Sequence, residues 1–132
     1  MSNDFNLAAF ESAETAVLQV KAVDGKPLMH NGKPVEIEMY GPGSEQAAAA
    51  QSEFDTAVRN AALQAMKVEG QKVDTAPLIA KKLAAVTKAV INFPIPGGAV
   101  ALYSNKKLGY ITAQADRYHS DWANFPPACT TS

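Results

Sequence analysis

Asn31-Gly32 is the strongest local constraint in this 132-residue chain. It lies within DGKPLMHNGKPVEIEMYGP, residues 24–42, just before a run in which Val35, Ile37 and Met39 alternate with Glu36 and Glu38. A two-residue link between antiparallel strands needs positive φ at both positions, which asparagine tolerates and glycine adopts without steric cost. The pair therefore predicts a hairpin whose second strand covers 35–39. Asp24-Gly25 offers similar turn chemistry seven residues earlier. It follows Leu18, Val20 and Ala22, which alternate with Gln19 and Lys21 and predict a strand over 16–23. Pro34 has no N–H for a ladder and belongs at a strand start or an edge. Residues 16–40 thus read as an antiparallel ribbon of about three short strands. The phrases DGKP and NGKP each hold a single glycine and lack a lysine-serine/threonine ending, so they read as turns and not as phosphate loops.

After Gly41-Pro42-Gly43 the pattern changes to a helical one. Ser44 is placed to cap a helix, and Glu45 favours its positive dipole end. The helix is expected to run to about Val68 with an apolar stripe of Ala47, Ala50, Phe54, Val58, Ala61, Ala65 and Val68. A stripe made mostly of alanine admits a neighbouring backbone closely but buries little apolar area per turn. Asp74 or Thr75 begins a second helix, with Pro77 in its first turn, where a missing N–H costs nothing. Its apolar positions are read as Ile79, Leu83, Val86 and Val90. A loop at 93–98 precedes a short helical turn at 99–103. A last helix, capped by Asn105, carries Leu108, Ile111, Ala115, Tyr118, Trp122 and Phe125 at spacings of three and four. Pro126-Pro127 ends it.

The expected fold class is α+β: an N-terminal antiparallel ribbon followed by a mostly helical part of three to four helices. Residues 1–15 read as a loose arm with Phe5, Leu7 and Phe10 as occasional anchors. Residues 16–125 read as a single domain, and 126–132 as a disordered tail. At 47% hydrophobic and 19% charged residues the composition is that of a globular protein, and the length suffices for one core without metal or disulfide support. The opening MSNDFNLAAFESAETAV lacks the basic start and apolar core of a secretory leader. No apolar run approaches the ~20 residues that span a bilayer. Cys129 is the single cysteine, which fits a reducing compartment. The expected location is the cytoplasm, with no membrane partner.

Catalytic chemistry finds little support in the residue pattern. His30 and His119 each lack a second ligand at metal spacing and a nearby nucleophile motif. Asp116 and Asp121 are too ordinary to argue a hydrolytic carboxylate pair, and Glu36 and Glu38 read as charges that keep a sheet edge soluble. Nothing near Cys129 in sequence would activate its thiol. Lys81, Lys82, Lys88, Lys106 and Lys107 read as solvated faces, because the formal net charge is -1 and no aromatics are interleaved with them. No catalytic, cofactor-binding or metal-binding residue is assigned, and no nucleic-acid partner is expected. The Tyr118, Trp122 and Phe125 stripe fits either a core or a partner surface.

One series of residues is informative in its order: Gly32-Lys33-Pro34, Tyr40-Gly41-Pro42, Ser44 with Gln46 to Gln51, Ala101-Leu102-Tyr103-Ser104, and Asp121-Trp122-Ala123-Asn124-Phe125. In that series, over about residues 16–125, the chain resembles the tail assembly chaperones of long-tailed bacteriophages and prophages. The chain departs from that family's pattern at Asn92-Phe93 and at Pro96-Gly97-Gly98. The resemblance implies a non-catalytic protein of the bacterial cytoplasm that binds the long helical tape measure protein, keeps it soluble and helps recruit tail tube subunits. Self-association around the client is a further expectation. Helical clients are gripped by complementary apolar faces, so the expected partner-binding residues are Ala47, Ala50, Phe54, Val58 and Ala61 on the long helix, with Tyr118, Trp122 and Phe125 on the last. The rival readings are a structural tail or head-completion protein, and a small ligand-binding or enzymatic domain. Convergence of His30, His119, Asp116 or Tyr118 around a deep cleft would favour the last.

Overall fold

The structure, a computed structural model, describes residues 6–68, 70 and 72–127. The α+β class expected from the sequence is the one observed. The strands are β1 (Thr15–Gln19), β2 (Met29–His30), β3 (Lys33–Pro34), β4 (Glu36–Tyr40) and β5 (Thr87–Ile91). The helices are α1 (Glu45–Met66), α2 (Ala76–Ala85), α3 (Gly98–Ser104) and α4 (Gly109–Ser120).

The Asn31-Gly32 turn forms as the sequence predicts. Both residues have positive φ, 53° and 77°, and they join β2 to β3 in antiparallel register. The ribbon around the turn is built differently from a simple three-strand meander. β1 pairs directly with β4, Leu18 opposite Ile37, and β2–β3 is a separate small hairpin carried at their end. Three backbone bonds close a ring at the junction. Val20 N–H donates to the Val35 carbonyl (3.2 Å), Val35 N–H to Leu28 (2.8 Å), and Leu28 N–H to Val20 (2.9 Å). Asn92, itself at φ 61°, anchors the hairpin from outside: its Nδ2 donates to the carbonyls of His30 (2.8 Å) and Lys33 (2.9 Å).

The third strand of the main sheet comes from an unexpected place. The sheet order is β1-β4-β5, all antiparallel. The spacing of Ile79, Leu83, Val86 and Val90 carries the expected second helix to Val90, yet that helix stops at Ala85 and Val90 lies opposite Ile37 in the sheet. Leu83, Val86 and Val90 suit a helical period, but Thr87, Val90 and Ile91 are β-branched and stiff in a helix. The Thr87 hydroxyl also donates to the Leu83 carbonyl (2.9 Å), giving one of the helix's last carbonyls a partner.

Each sheet edge is blunted. Along β1, side chains of α4 occupy the open backbone groups. Tyr118 Oη donates to the Val17 carbonyl (3.0 Å), while the Gln114 amide accepts from Lys21 N–H (2.7 Å) and donates to the Lys21 carbonyl (2.8 Å). On β5 the register shifts at a bulge opposite Glu38/Met39, where Lys88 Nζ meets Glu38 Oε2 at 3.9 Å. Bulges and lysines both discourage further strand addition.

The helices cover one face of the sheet. Val20, Val35, Ile37 and Met39 point into a core completed by Ala47, Ala50, Leu83, Val86, Leu102 and Ile111. Glu36 and Glu38 alternate with these buried residues on the other face. Ser44 caps α1 as expected. Its Oγ accepts from Ala47 N–H (3.1 Å) and donates to the Gly41 carbonyl (2.7 Å). Asp74, rather than Thr75, supplies the side-chain bond at the start of α2, accepting from Ala76 N–H at 3.1 Å.

The last helix is shorter than its stripe suggests. Asn105 caps a 3-10 turn, Lys106–Leu108; α4 ends at Ser120; and Asp121 caps a second 3-10 turn, Trp122–Asn124. The change of pitch turns Trp122 outward, 58% exposed, and returns Phe125 to the interior at 1%. At the N-terminal side, Leu7–Ala9 form a 3-10 turn, and Leu7 and Phe10 are exposed. The chain is fixed from Ala13, whose N–H donates to the Phe125 carbonyl (3.0 Å), while Gly41 N–H donates to Glu14 (2.8 Å). A Cβ on Gly41 would stand 2.9 Å from the Ala13 carbonyl and 3.0 Å from the Phe125 ring, so only glycine fits there. Phe5, Cys129 and most of the expected tail lie outside the described residues. Among the described residues no helix is long and apolar enough to cross a membrane.

Candidate functional site

α1 has 22 residues and α2, the helix it packs on, has 10. At 1.5 Å per residue these are roughly 33 Å and 15 Å long. The difference leaves part of α1 without a helical neighbour. Alanine favours helix more than any other residue, so the sequence can sustain the long element through AAAAQSEFDTAVRNAALQA although few of its side chains reach the core.

The apolar stripe of α1 therefore divides. Ala47 and Ala50 are 8% and 3% exposed and belong to the core. Phe54, Ala57 and Lys82 meet in the cleft against α2, with Lys82 Nζ 5.0 Å from the centre of the Phe54 ring, a favourable cation–π distance. Beyond this point Val58, Ala61 and Ala65 are half-buried. Leu63, Met66 and Val68 are 53%, 82% and 54% exposed. Leu63 and Met66 therefore leave apolar surface exposed on the distal turns of α1.

The expected partner-binding residues thus occupy four settings. Ala47, Ala50 and Phe125 are enclosed in the core and have no surface to offer in this fold. Phe54, Val58 and Ala61 lie on the continuous side of α1, partly accessible. Tyr118 is committed to the β1 edge, its ring edge-on to Phe125 at 5.7 Å and its hydroxyl on Val17. Desolvation raises its pKa above the usual 10.0. Trp122 stands outside, its ring lying over Gly43. Leu63 and Met66 lie off the apolar stripe, on sides of α1 that face away from it.

The groups that would favour small-molecule chemistry are scattered, with one exception. His30 lies at the hairpin beside Asn31 and Asn92. Tyr118 faces a hollow along β1. His119 and Asp116 do share a groove, of about 270 Å³, with Lys82 and Phe54. Within it, the Ser120 hydroxyl donates to the Asp116 carbonyl (2.8 Å). His119 Nδ1 donates to the Tyr40 carbonyl (2.8 Å), which orients the ring and leaves Nε2 for another partner. Among the described residues no three His, Cys, Asp or Glu side chains are grouped to hold a metal ion. Comparison with known protein families, with curated proteins and with solved structures found no match to this chain.

Proposed function

We propose that this chain is a non-catalytic assembly chaperone of the kind used by long-tailed bacteriophages and prophages. Its client is the tape measure protein, which it keeps soluble in the bacterial cytoplasm while tail tube subunits are recruited. The reading rests on the ordered residue resemblance described above. The structural observation that best supports it is the distal half of α1, where Leu63 and Met66 are exposed and Val58 and Ala61, on another side of the helix, are half-buried.

A long helical client exposes stripes of its own, and burying them against α1 removes apolar area from water on both sides. Full burial of a Leu, Val or Met side chain contributes about 1.5–3 kcal/mol. A few such contacts, less the ordering cost of association, give binding firm enough to prevent aggregation and weak enough for the chaperone to be displaced. The small side chains at Ala57, Ala61 and Ala65 permit close helix approach.

Co-expression with a tape measure protein tests the proposal. Soluble client is expected only when the chaperone is present. Val58→Asp and Met66→Asp are expected to abolish co-purification while the variants stay folded. If the folded variants retain the client as well as the parent chain does, or the client is equally soluble alone, the proposal fails.

A further inference from the structure

α2 and α4 leave an open channel between them. One part, about 450 Å³, has Ala76, Pro77 and Ile79 on one wall and Gly109, Ala113 and Asp116 on the other. The 270 Å³ groove that holds His119 continues it, sharing Ile79 and Asp116. The channel is open because Ala76, Gly109 and Ala113 are too small to fill it. Ile79 remains 40% exposed where the two parts meet.

Its charges are arranged along its length. Asp74 and Lys106 stand at one end, Asp116 at the shared middle, and Lys82 at the other end. Lys82 is already engaged over Phe54. Asp74 and Asp116 make no ion pair among the described residues. Asp74 is occupied in capping α2, so Asp116 is the carboxylate open to a cation.

We propose that this channel seats an amphipathic helix of a partner protein, with an Arg or Lys side chain against Asp116 and an apolar side chain one turn away against Ile79. The wall formed by α4 is 12 residues long, roughly 18 Å or three helical turns, a length that a single docked helix can follow. Small residues on both walls let the helix descend to Ile79, the helix-in-groove mode of recognition. The proposal goes beyond the chaperone reading. It concerns a different face from distal α1, and it stands or falls whatever the client of α1 proves to be.

The test is a displayed library of helix-forming peptides of roughly 16 residues, long enough to hold a helix, randomised along one face and selected on the immobilised full chain. The expected enrichment is Lys or Arg with Leu, Ile or Met one turn away. Asp116→Lys should shift the selected charge to Glu or Asp and weaken the original peptide roughly tenfold. Ala113→Trp, which fills the channel, should abolish binding. Both positions are exposed, and far-UV circular dichroism confirms that each variant is folded; Val58→Asp, on α1, should leave the selection unchanged. The proposal is overturned by no enrichment, by acidic enrichment on the parent chain, or by indifference to either channel variant. Saturable oligonucleotide binding, or self-association lost on Ala113→Trp, in place of peptide selection would equally overturn it.

Discussion

At the residue scale, Asn92 performs two tasks that no single neighbouring side chain could take over. Its backbone occupies the left-handed region, and its amide donates to carbonyls of the β2–β3 hairpin. Asn92→Ala removes the donor and strains the backbone, and is expected to lower stability by about 1–3 kcal/mol in urea unfolding. Asn92→Gly restores the permitted backbone without the hydrogen bonds and should recover part of that loss. Tyr103 gives a second prediction. Burial raises its phenol above 10.0, opposed by the hydrogen bond to Thr87 at 2.7 Å. Because the folded state holds this proton more tightly than the unfolded state, stability is unaffected below about pH 10 and falls as pH rises beyond it. Tyr103→Phe is expected to flatten that alkaline decline, measured as the pH dependence of the unfolding midpoint.

At the element scale, α1 has two regimes of stability. Its first turns are packed on the core and its last turns are held mainly by continuation of the helix, which is marginal for short isolated segments. Amide hydrogen exchange should be faster over residues 59–66 than over 47–54. Met66→Asp is expected to change stability by less than about 0.5 kcal/mol, while Ala50→Asp buries an unpaired charge and should cost roughly 4 kcal/mol. The element scale also shows where sequence reading succeeds and where it stops. Asn31-Gly32 and Ser44 act through local geometry, so their roles are legible without tertiary information. Residues 83–91 are ambiguous because Leu83, Val86 and Val90 satisfy a helical spacing while the β-branched residues prefer a strand. The decision is made by Ile37 and Met39 across the sheet, which local pattern cannot supply. Trp122 misleads for a related reason: its spacing from Tyr118 assumes one uninterrupted helix, and the cap at Asp121 resets the pitch. In the candidate site, Phe54, Val58 and Ala61 were legible as a stripe. Leu63 and Met66 were not, since they fall outside that stripe on the helix wheel.

At the scale of the whole molecule, the two ends of the described chain brace each other. Ala13 and Gly41 both lie against Phe125, which is almost fully enclosed. Phe125→Ala should therefore cost about 3–5 kcal/mol and lower the melting temperature of the entire domain in one cooperative transition, not merely release the C-terminal segment. A scan that showed only a local change at 121–127 would contradict this account. The molecule then has a braced body and two accessible apolar features, the distal turns of α1 and the α2–α4 channel, the latter reaching the α1–α2 cleft at Phe54 and Lys82. Substitution at Met66 and at Ala113 can separate their effects without touching the brace.

The position of β5 also sets an order on synthesis. Its pairing partner, β4, leaves the ribosome roughly fifty residues before β5 does, an interval of about 3–10 s at ordinary elongation rates. Within that interval α1 is made in full while Ile37 and Met39 still lack their outer strand. The nascent polypeptide must therefore wait with its longest helix formed and its sheet unfinished, so final closure is a late, long-range event of the slow kind.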